Sequence, residues 1–411
     1  MDLVSRLDRL RGGRSSPASV PAIEQSVDHT ATLLRDGMGT LALALRGDVI
    51  CDGLVVSETR HRLDMTPAEL AGLSNLPETH DQPATDWVYI DTETTGLSGG
   101  VGTLAFMVGV ARYLPDGMLW VRQYTMSRFS DEALMLRDLT SWIGEDATLC
   151  SYNGRCFDLP LLTNRLRLQR QGCAIASLPH LDLMYGVRRA YRQQWQDCRL
   201  QTAEKRRLGI QRVDDMPGAL APQAWQKWLS DGDHSMLIEV LAHNRQDVVS
   251  LAKLHLALVR DHADAAHPES DPGAIGLAWY RVGCAEKAMG LWERHADRLD
   301  ISASLQQAAA YRRAERWQEA ESVWLRLYEQ GNRDAALALS KYYEHRLRDY
   351  QQAMRFAVAC GESDQGARRQ RLRRKLGTVQ SGSESTTVNL ELPLLPRPTK
   401  DHRDFSRSPR I

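Results

Sequence analysis

Two carboxylates spaced two apart close the stretch Val88-Tyr-Ile-Asp-Thr-Glu-Thr-Thr-Gly96. The apolar residues before them read as a strand. In a strand, residues i and i+2 share a face, so Asp91 and Glu93 project side by side. Like charges that close are costly unless a cation lies between them. Oxygen-only ligands suit hard divalent ions such as Mg²⁺ or Mn²⁺. The alternative is a surface strand end with two solvated acids, and the pair alone leaves both open. A third acid, Asp158, follows a strand and the turn Asn153-Gly154, at a helix start where the dipole favours an anion. A plain N-cap would look the same. A fourth, Asp247, stands four residues after His243 on one helix face, beside the apolar stripe of Val240, Val248 and Leu251. A surface hydrogen-bonded pair has that spacing too.

Positioning these groups calls for an α/β domain over residues 86–260. Strands are expected at Trp87–Asp91, Thr103–Tyr113, Leu119–Tyr124, Thr148–Tyr152 and Leu178–Leu183, with the near-continuous apolar run of the second marking a central strand. Helices are expected from Ser130 to Ile143, from Leu159 to about Gln169 and from Ser235 to Leu258. Residues 1–85 read as an N-terminal extension. It has a short amphipathic helix (Leu3, Leu7, Leu10), a Gly12–Pro21 linker and strand-like pieces at Leu41–Leu45 and Val49–Val56 that would cover a sheet edge. After a linker at Asp264–Pro272, residues 273–362 are expected to be all-helical. Ala288-x-x-x-Trp292 recurs at Ala320-x-x-x-Trp324 and weakly at Ala353-x-x-x-Ala357. The spacing is near the roughly 34-residue tetratricopeptide period; a plain helical bundle is the alternative. Residues 376–411 turn to Ser, Pro, Arg and Thr and read as a disordered tail.

The length of 411 residues suits two or three domains, and the zero net charge leaves any nucleic-acid contact to a local patch. Seven scattered cysteines without a Cys-x-x-Cys pair argue against a disulfide framework and point to a reducing cytoplasm. The N-terminus lacks a signal-peptide core, and no run approaches the roughly 20 apolar residues of a membrane span.

The order and spacing of Asp91-x-Glu93, Asp158 and Asp247 resemble the DEDD 3′→5′ exonucleases of the ribonuclease-H-like superfamily. More narrowly, four stretches resemble the YprB-like ribonuclease-H-like family: Asp91 to Thr103 with its Gly-Gly-Val-Gly-Thr end, Tyr152-Asn-Gly-Arg-Cys-Phe-Asp-Leu-Pro160, Leu208 to Gly218 and Asn244-Arg-Gln-Asp-Val248. That resemblance implies a mixed sheet flanked by helices, followed by tetratricopeptide-like helices. It implies two divalent ions, Mg²⁺ or Mn²⁺, with Asp91 bridging both, Glu93 and Asp247 completing one site and Asp158 acting at the other, partly through water. His243 is the implied base. One DEDD subclass has Tyr-x-x-x-Asp and the other His-x-x-x-x-Asp, and this chain places a histidine at the tyrosine spacing.

Thr94, Gly96, Asn153 and Phe157 are expected to bind substrate. Gly96, Gly99, Gly100 and Gly102 would let backbone approach a phosphate or base, and Phe157 would stack on a base or sit in the core. Asp182 is expected to support the site rather than touch metal. The basic run Arg188, Arg189, Arg192, Arg199, Lys205, Arg206, Arg207 and Arg212 is either a solvated face or a phosphate track. Trp225 and Trp228 are expected in the core, and the cluster from Arg368 to Lys375 is a candidate nucleic-acid or partner patch. The implied activity is removal of nucleotides from a DNA or RNA 3′ end, with a protein partner on the helical repeats. The alternatives are a non-cleaving nucleic-acid adaptor and a proofreading subunit of a separate polymerase.

Overall fold

A computed structural model describes residues 39–380, apart from 40, 52, 64, 83–85, 97–101, 214 and 361–365. The expected N-terminal helix and linker, Gly99, Gly100 and all but the start of the expected tail lie outside the described residues. The chain divides into two compact units, the first ending at Ala314 and the second beginning at Glu315.

The first unit is built on seven strands in the order β1-β2-β5-β4-β3-β6-β7. They are β1 (Gly47–Cys51), β2 (Leu54–Arg62), β3 (Asp86–Thr94), β4 (Ala105–Tyr113), β5 (Met118–Met126), β6 (Ala147–Ser151) and β7 (His180–Asp182). Strands β1, β2, β5, β4 and β3 are antiparallel to their neighbours, whereas β6 and β7 continue from β3 in parallel. The three parallel strands therefore end on the same side, the place where open α/β sheets gather ligands. Strand β4 is buried from Ala105 to Ala111 because both faces are covered, and its sequence is correspondingly apolar.

Two N-terminal expectations change. Residues 41–45 are helical rather than extended. The piece near Val49–Val56 is a hairpin, β1 and β2, and β2 pairs with β5 from Leu54↔Met126 to Arg62↔Met118. The expected edge cover thus extends the sheet by two strands.

The helices of this unit are α1 (Glu132–Ile143), α2 (Asp158–Leu168), α3 (Leu183–Tyr191), α4 (Ala221–Asp231) and α5 (Ser235–Asp264), then α6 (Pro272–Arg281), α7 (Ala285–Arg294) and α8 (Ile301–Arg313). The 30-residue α5 lies on β3, β4 and β5 with Leu237, Val240, Leu241, Val248 and Leu251 buried. Its approach is set at Gly109 on β4. A Cβ there would stand 2.2 Å from Asn244 Oδ1 and 2.9 Å from Val248 Cγ2. Only glycine admits the helix at that depth. Trp225 of α4 stacks on Phe106 of β4 at 5.6 Å and donates to the Met126 carbonyl at 2.9 Å, so Trp225 and Trp228 are core, as expected.

The second unit contains α9 (Trp317–Glu329), α10 (Arg333–Tyr342), α11 (Tyr350–Ala359) and α12 (Gly366–Gln380), each packed on its neighbour in sequence. Ala320, Trp324, Ala353 and Ala357 are buried there, and Ala288 and Trp292 are buried in the first unit. Residues 376–380, the start of the expected tail, end α12.

Candidate active site

Asp91 and Glu93 stand at the end of β3, opposite Gly109 and Met107 of β4. Gln123 of β5 donates to Asn244 Oδ1 at 2.8 Å and to the Leu241 carbonyl at 2.9 Å. That fixes the Asn244 amide so that its nitrogen donates to Asp91 Oδ2 at 2.8 Å. A fully buried asparagine on α5 thereby ties the helix to the strand-end acid.

Asp158 is the first residue of α2, after a turn in which Asn153 adopts a left-handed conformation, φ 64°. Asp182 shapes that turn: it accepts from the Asn153 amide at 2.8 Å, from the Arg155 amide at 3.3 Å and from the Met184 amide at the head of α3 at 3.1 Å. Its carboxylate is spent on backbone donors, consistent with the supporting role expected of it. At Gly154 a Cβ would lie 2.8 Å from Asp158 Oδ2 and 2.4 Å from Ser151 Oγ, so the tight turn needs glycine. Thr92 donates its hydroxyl to Asp158 Oδ1.

The four acids repel one another. Burial, then the charges of Asp247, Asp158 and Glu93, push the Asp91 carboxyl well above the ordinary carboxylate range. Burial, then Asp247, Asp158 and Asp215, push Glu93 up to about 8. Burial raises Asp158 to about 6 against the pull of the Thr92 hydroxyl. Burial also raises Asp247, although His243 and Arg212 oppose it. Chains of this length seldom bury uncompensated acids without a cation to meet them. Their donors are all hard oxygens, the chemistry that suits Mg²⁺ or Mn²⁺. Among the described residues, no three His, Cys, Asp or Glu side chains converge on one point as a finished cage. Their oxygens face Asn244, Thr92 and Arg212 instead.

Arg212 pairs with Asp247, with Glu204 at 2.6 Å and with Asp215 at 3.0 Å. His243 sits between Asp215, at 2.7 Å from Nδ1, and Asp247, at 3.6 Å from Nε2. Burial alone would raise Asp215, but hydrogen bonds from His243 and Arg212 outweigh it and hold its carboxyl below the ordinary value.

A family model described as the RNase_H superfamily matches residues 88–259. The Bacillus subtilis (strain 168) protein YprB is 30% identical over 300 residues, covering 70% of this chain and 72% of its own length. The chain belongs to the YprB-like ribonuclease-H-like family. Among solved structures, the family B DNA polymerase from the hyperthermophilic archaeon Pyrobaculum calidifontis is similar at a TM-score of 0.35 and 15% identity. That match covers 57% of this chain and 30% of the polymerase.

Within this YprB-like domain the residues expected to bind substrate divide. Phe157 is 59% exposed at the head of α2, so it is not a core aromatic. Asn153 is half-buried in the turn. Thr94 donates to the Gly96 carbonyl at 2.9 Å, closing the loop on itself. A Cβ at Gly96 would meet nothing nearer than Thr103 Oγ1 at 3.6 Å, so close packing does not demand that glycine. The basic run also divides. Arg189 pairs with Glu78, Arg206 with Glu269, Arg207 with Asp261 and Arg212 with the site, whereas Arg188, Arg192, Arg199 and Lys205 are exposed. Sequence reasoning assigned no role to Thr92, Gln123, Glu204, Asp215 or Asn244. Asp215 and Asn244 lie inside stretches that carried the family resemblance, and that was the available signal.

Proposed function

We propose that this chain is a metal-dependent 3′→5′ exonuclease that hydrolyses phosphodiester bonds at the 3′ end of DNA or RNA. Its main support is the meeting of four mutually repelling acids from β3, α2 and α5. Asp91, Glu93, Asp158 and Asp247 would hold two divalent ions, Mg²⁺ or Mn²⁺. When bound, such ions supply Lewis acidity and offset the phosphodiester charge in the transition state. Asn244 and Thr92 orient two of the four carboxylates. His243 takes the proton of the attacking water. The exposed Phe157 ring stacks on the terminal base, and Thr94, Gly96 and Asn153 line the path of the last nucleotide.

The remaining assignments follow the same reading. Residues 86–260 carry the chemistry, the strands Gly47–Cys51 and Leu54–Arg62 extend the sheet, and the helices over 273–362 act as a tetratricopeptide-like surface for a protein partner. A cytoplasmic setting fits the cysteines at 150, 156, 173, 198, 284 and 360, none of which is in a disulfide. No helix among the described residues is long and apolar enough to cross a membrane.

End-labelled oligonucleotides with Mg²⁺ or Mn²⁺ test the proposal. Stepwise shortening from the 3′ end is expected, and Asp91→Asn is expected to lower kcat/KM by about 10³-fold, several kcal/mol of transition-state stabilisation. No shortening at any metal concentration counts against it. One observation favours the non-cleaving adaptor: Arg212 already spends its charge on Asp247. Under that reading the parent and Asp91→Asn proteins both bind oligonucleotides and neither cleaves them.

A further inference from the structure

His243 has its nearest polar contact outside the four-acid set. Its Nδ1 lies 2.7 Å from Asp215 Oδ1. Asp215 follows Glu204 and Arg212 in a segment held against α5 at His243, Asp247 and Ser250. The frame behind it is rigid. Glu204, 1% exposed, receives two hydrogen bonds from Arg212, at 2.6 and 2.8 Å, and a third from the Ser250 hydroxyl. Arg212 then donates to Asp215 Oδ2 at 3.0 Å. That leaves Asp215 Oδ1 for the imidazole.

An ionised carboxylate only accepts hydrogen bonds, so the nitrogen facing it carries the proton. Arg212 Nη1 is also 3.2 Å from Nδ1. Two donors cannot bond to each other, and the guanidinium donates its Nη1–H hydrogen bond to Asp215 instead. With Nδ1 protonated, Nε2 of the neutral ring holds a lone pair. It faces Asp247 Oδ2 at 3.6 Å. Two acceptors at that separation make no direct bond, but one water can donate to both. On another side of Nε2 is Gly218, where an added Cβ would stand 3.6 Å away, in ordinary van der Waals contact.

We propose that Asp215 is the positioning residue of His243: it fixes the Nδ1–H tautomer and turns Nε2 into the acceptor for the attacking water's proton, with Arg212 and Glu204 holding Asp215 in place. The catalytic consequence rests on the nuclease reading; the tautomer does not. In the step itself, the water oxygen bonds to phosphorus as one O–H proton passes to Nε2. The phosphorus–3′-oxygen bond breaks, and the leaving oxygen takes its proton from solvent. The imidazolium keeps its Nδ1–H on Asp215 and later releases the Nε2 proton to solvent. A base oriented by a carboxylate on its far nitrogen is the logic of catalytic triads, reached here with residues from a loop and a helix.

The test is Asp215→Asn in the full chain, with ¹⁵N-histidine NMR and His243→Gln to identify the His243 signals. The parent is expected to show the Nδ1–H tautomer. Asp215→Asn places an amide N–H opposite Nδ1 and is expected to invert the ring to Nε2–H. Its kcat on end-labelled oligonucleotides is expected to fall by about 10²–10⁴-fold, with KM and Mn²⁺ affinity unchanged within twofold. Asp215→Glu, which keeps an acceptor, is expected to restore the parent tautomer and part of kcat. A parent ring in the Nε2–H form overturns the assignment even if Asp215→Asn fails to fold, and so does an Asp215→Asn protein that keeps kcat. If the parent cleaves nothing, the nuclease reading fails while the NMR comparison still decides the role of Asp215.

Discussion

Glu93 and Glu344 are both buried glutamates, in different units of the chain, and their surroundings treat them in opposite ways. Glu93 lies among acids, and burial followed by the charges of Asp247, Asp158 and Asp215 raises its carboxyl to about 8. The Glu344 side chain is fully covered yet meets Arg368 at 2.6 Å, Arg371 at 2.7 Å and Lys375 at 3.0 Å. The hydrogen bond from Arg371 leads the causes that bring it down to about 2. Opposite charge balance around two covered carboxylates separates two purposes. Glu344 pins the basic helix α12 and engages three cations of the expected nucleic-acid patch, Arg368, Arg371 and Lys375. Glu93 belongs to a cluster whose charge the protein leaves unbalanced.

The contrast can be broken most directly with pH. Between the ordinary value of 4.5 and about 8, folded Glu93 holds a proton that the unfolded chain has lost. Above pH 6.5, where the buried His180, His255 and His262 are neutral whether folded or unfolded, stability of the metal-free first unit is therefore expected to fall as pH rises toward 8, by up to about 1.4 kcal/mol per pH unit for one such group. Mn²⁺ at pH 8 is expected to reverse the fall. Glu344 has the opposite sign: its contribution is present above 4.5 and lost as pH drops toward 2. Calorimetric unfolding across pH, with and without Mn²⁺, checks both slopes. A metal-free first unit that stabilises as pH rises from 6.5 to 8 would contradict the unbalanced cluster. Next in size is Glu344→Gln, expected to cost the second unit about 1.5–3 kcal/mol in denaturant unfolding, the range for losing hydrogen bonds to charged groups. Gly109→Ala is expected to cost about 1–3 kcal/mol by overpacking. It is also expected to weaken Mn²⁺ binding measured by calorimetry, because Asn244 and Asp247 retreat together. Arg371→Ala is the smallest. Its side chain is 42% exposed and two other cations remain on Glu344, so about 0.5 kcal/mol is expected.

Much of this was legible in the chain itself. The two-residue spacing of Asp91 and Glu93 marks a strand face, and the apolar run of β4 marks a strand covered on both sides. Asp158 and Asp247 declare themselves through local context: a glycine turn before a helix, and a histidine one helical turn away. What stayed hidden is non-local. Nothing in the sequence around Leu54 says that β2 will pair with β5. Arg212 read as one cation among eight, and only the fold shows it aimed at Glu204, Asp215 and Asp247. Asn244 has no periodic signature, since its meaning lies in Gly109 and Gln123 on strands far back in the chain. Residues 41–45 are Leu-Ala-Leu-Ala-Leu, and the high helix propensity of both residue types is the local signal that an apolar run read as strand passes over.

The hydrogen bond from Asn244 to Asp91 joins residues 153 positions apart. During synthesis the strand-end acids leave the ribosome long before the helix that completes their surroundings, and domains generally form as units once their last element is available. A nascent chain that stops short of α5 therefore exposes Gly109, the apolar β4 and Asp91 without the partner that orients it. The four-acid centre is assembled only as that long helix docks.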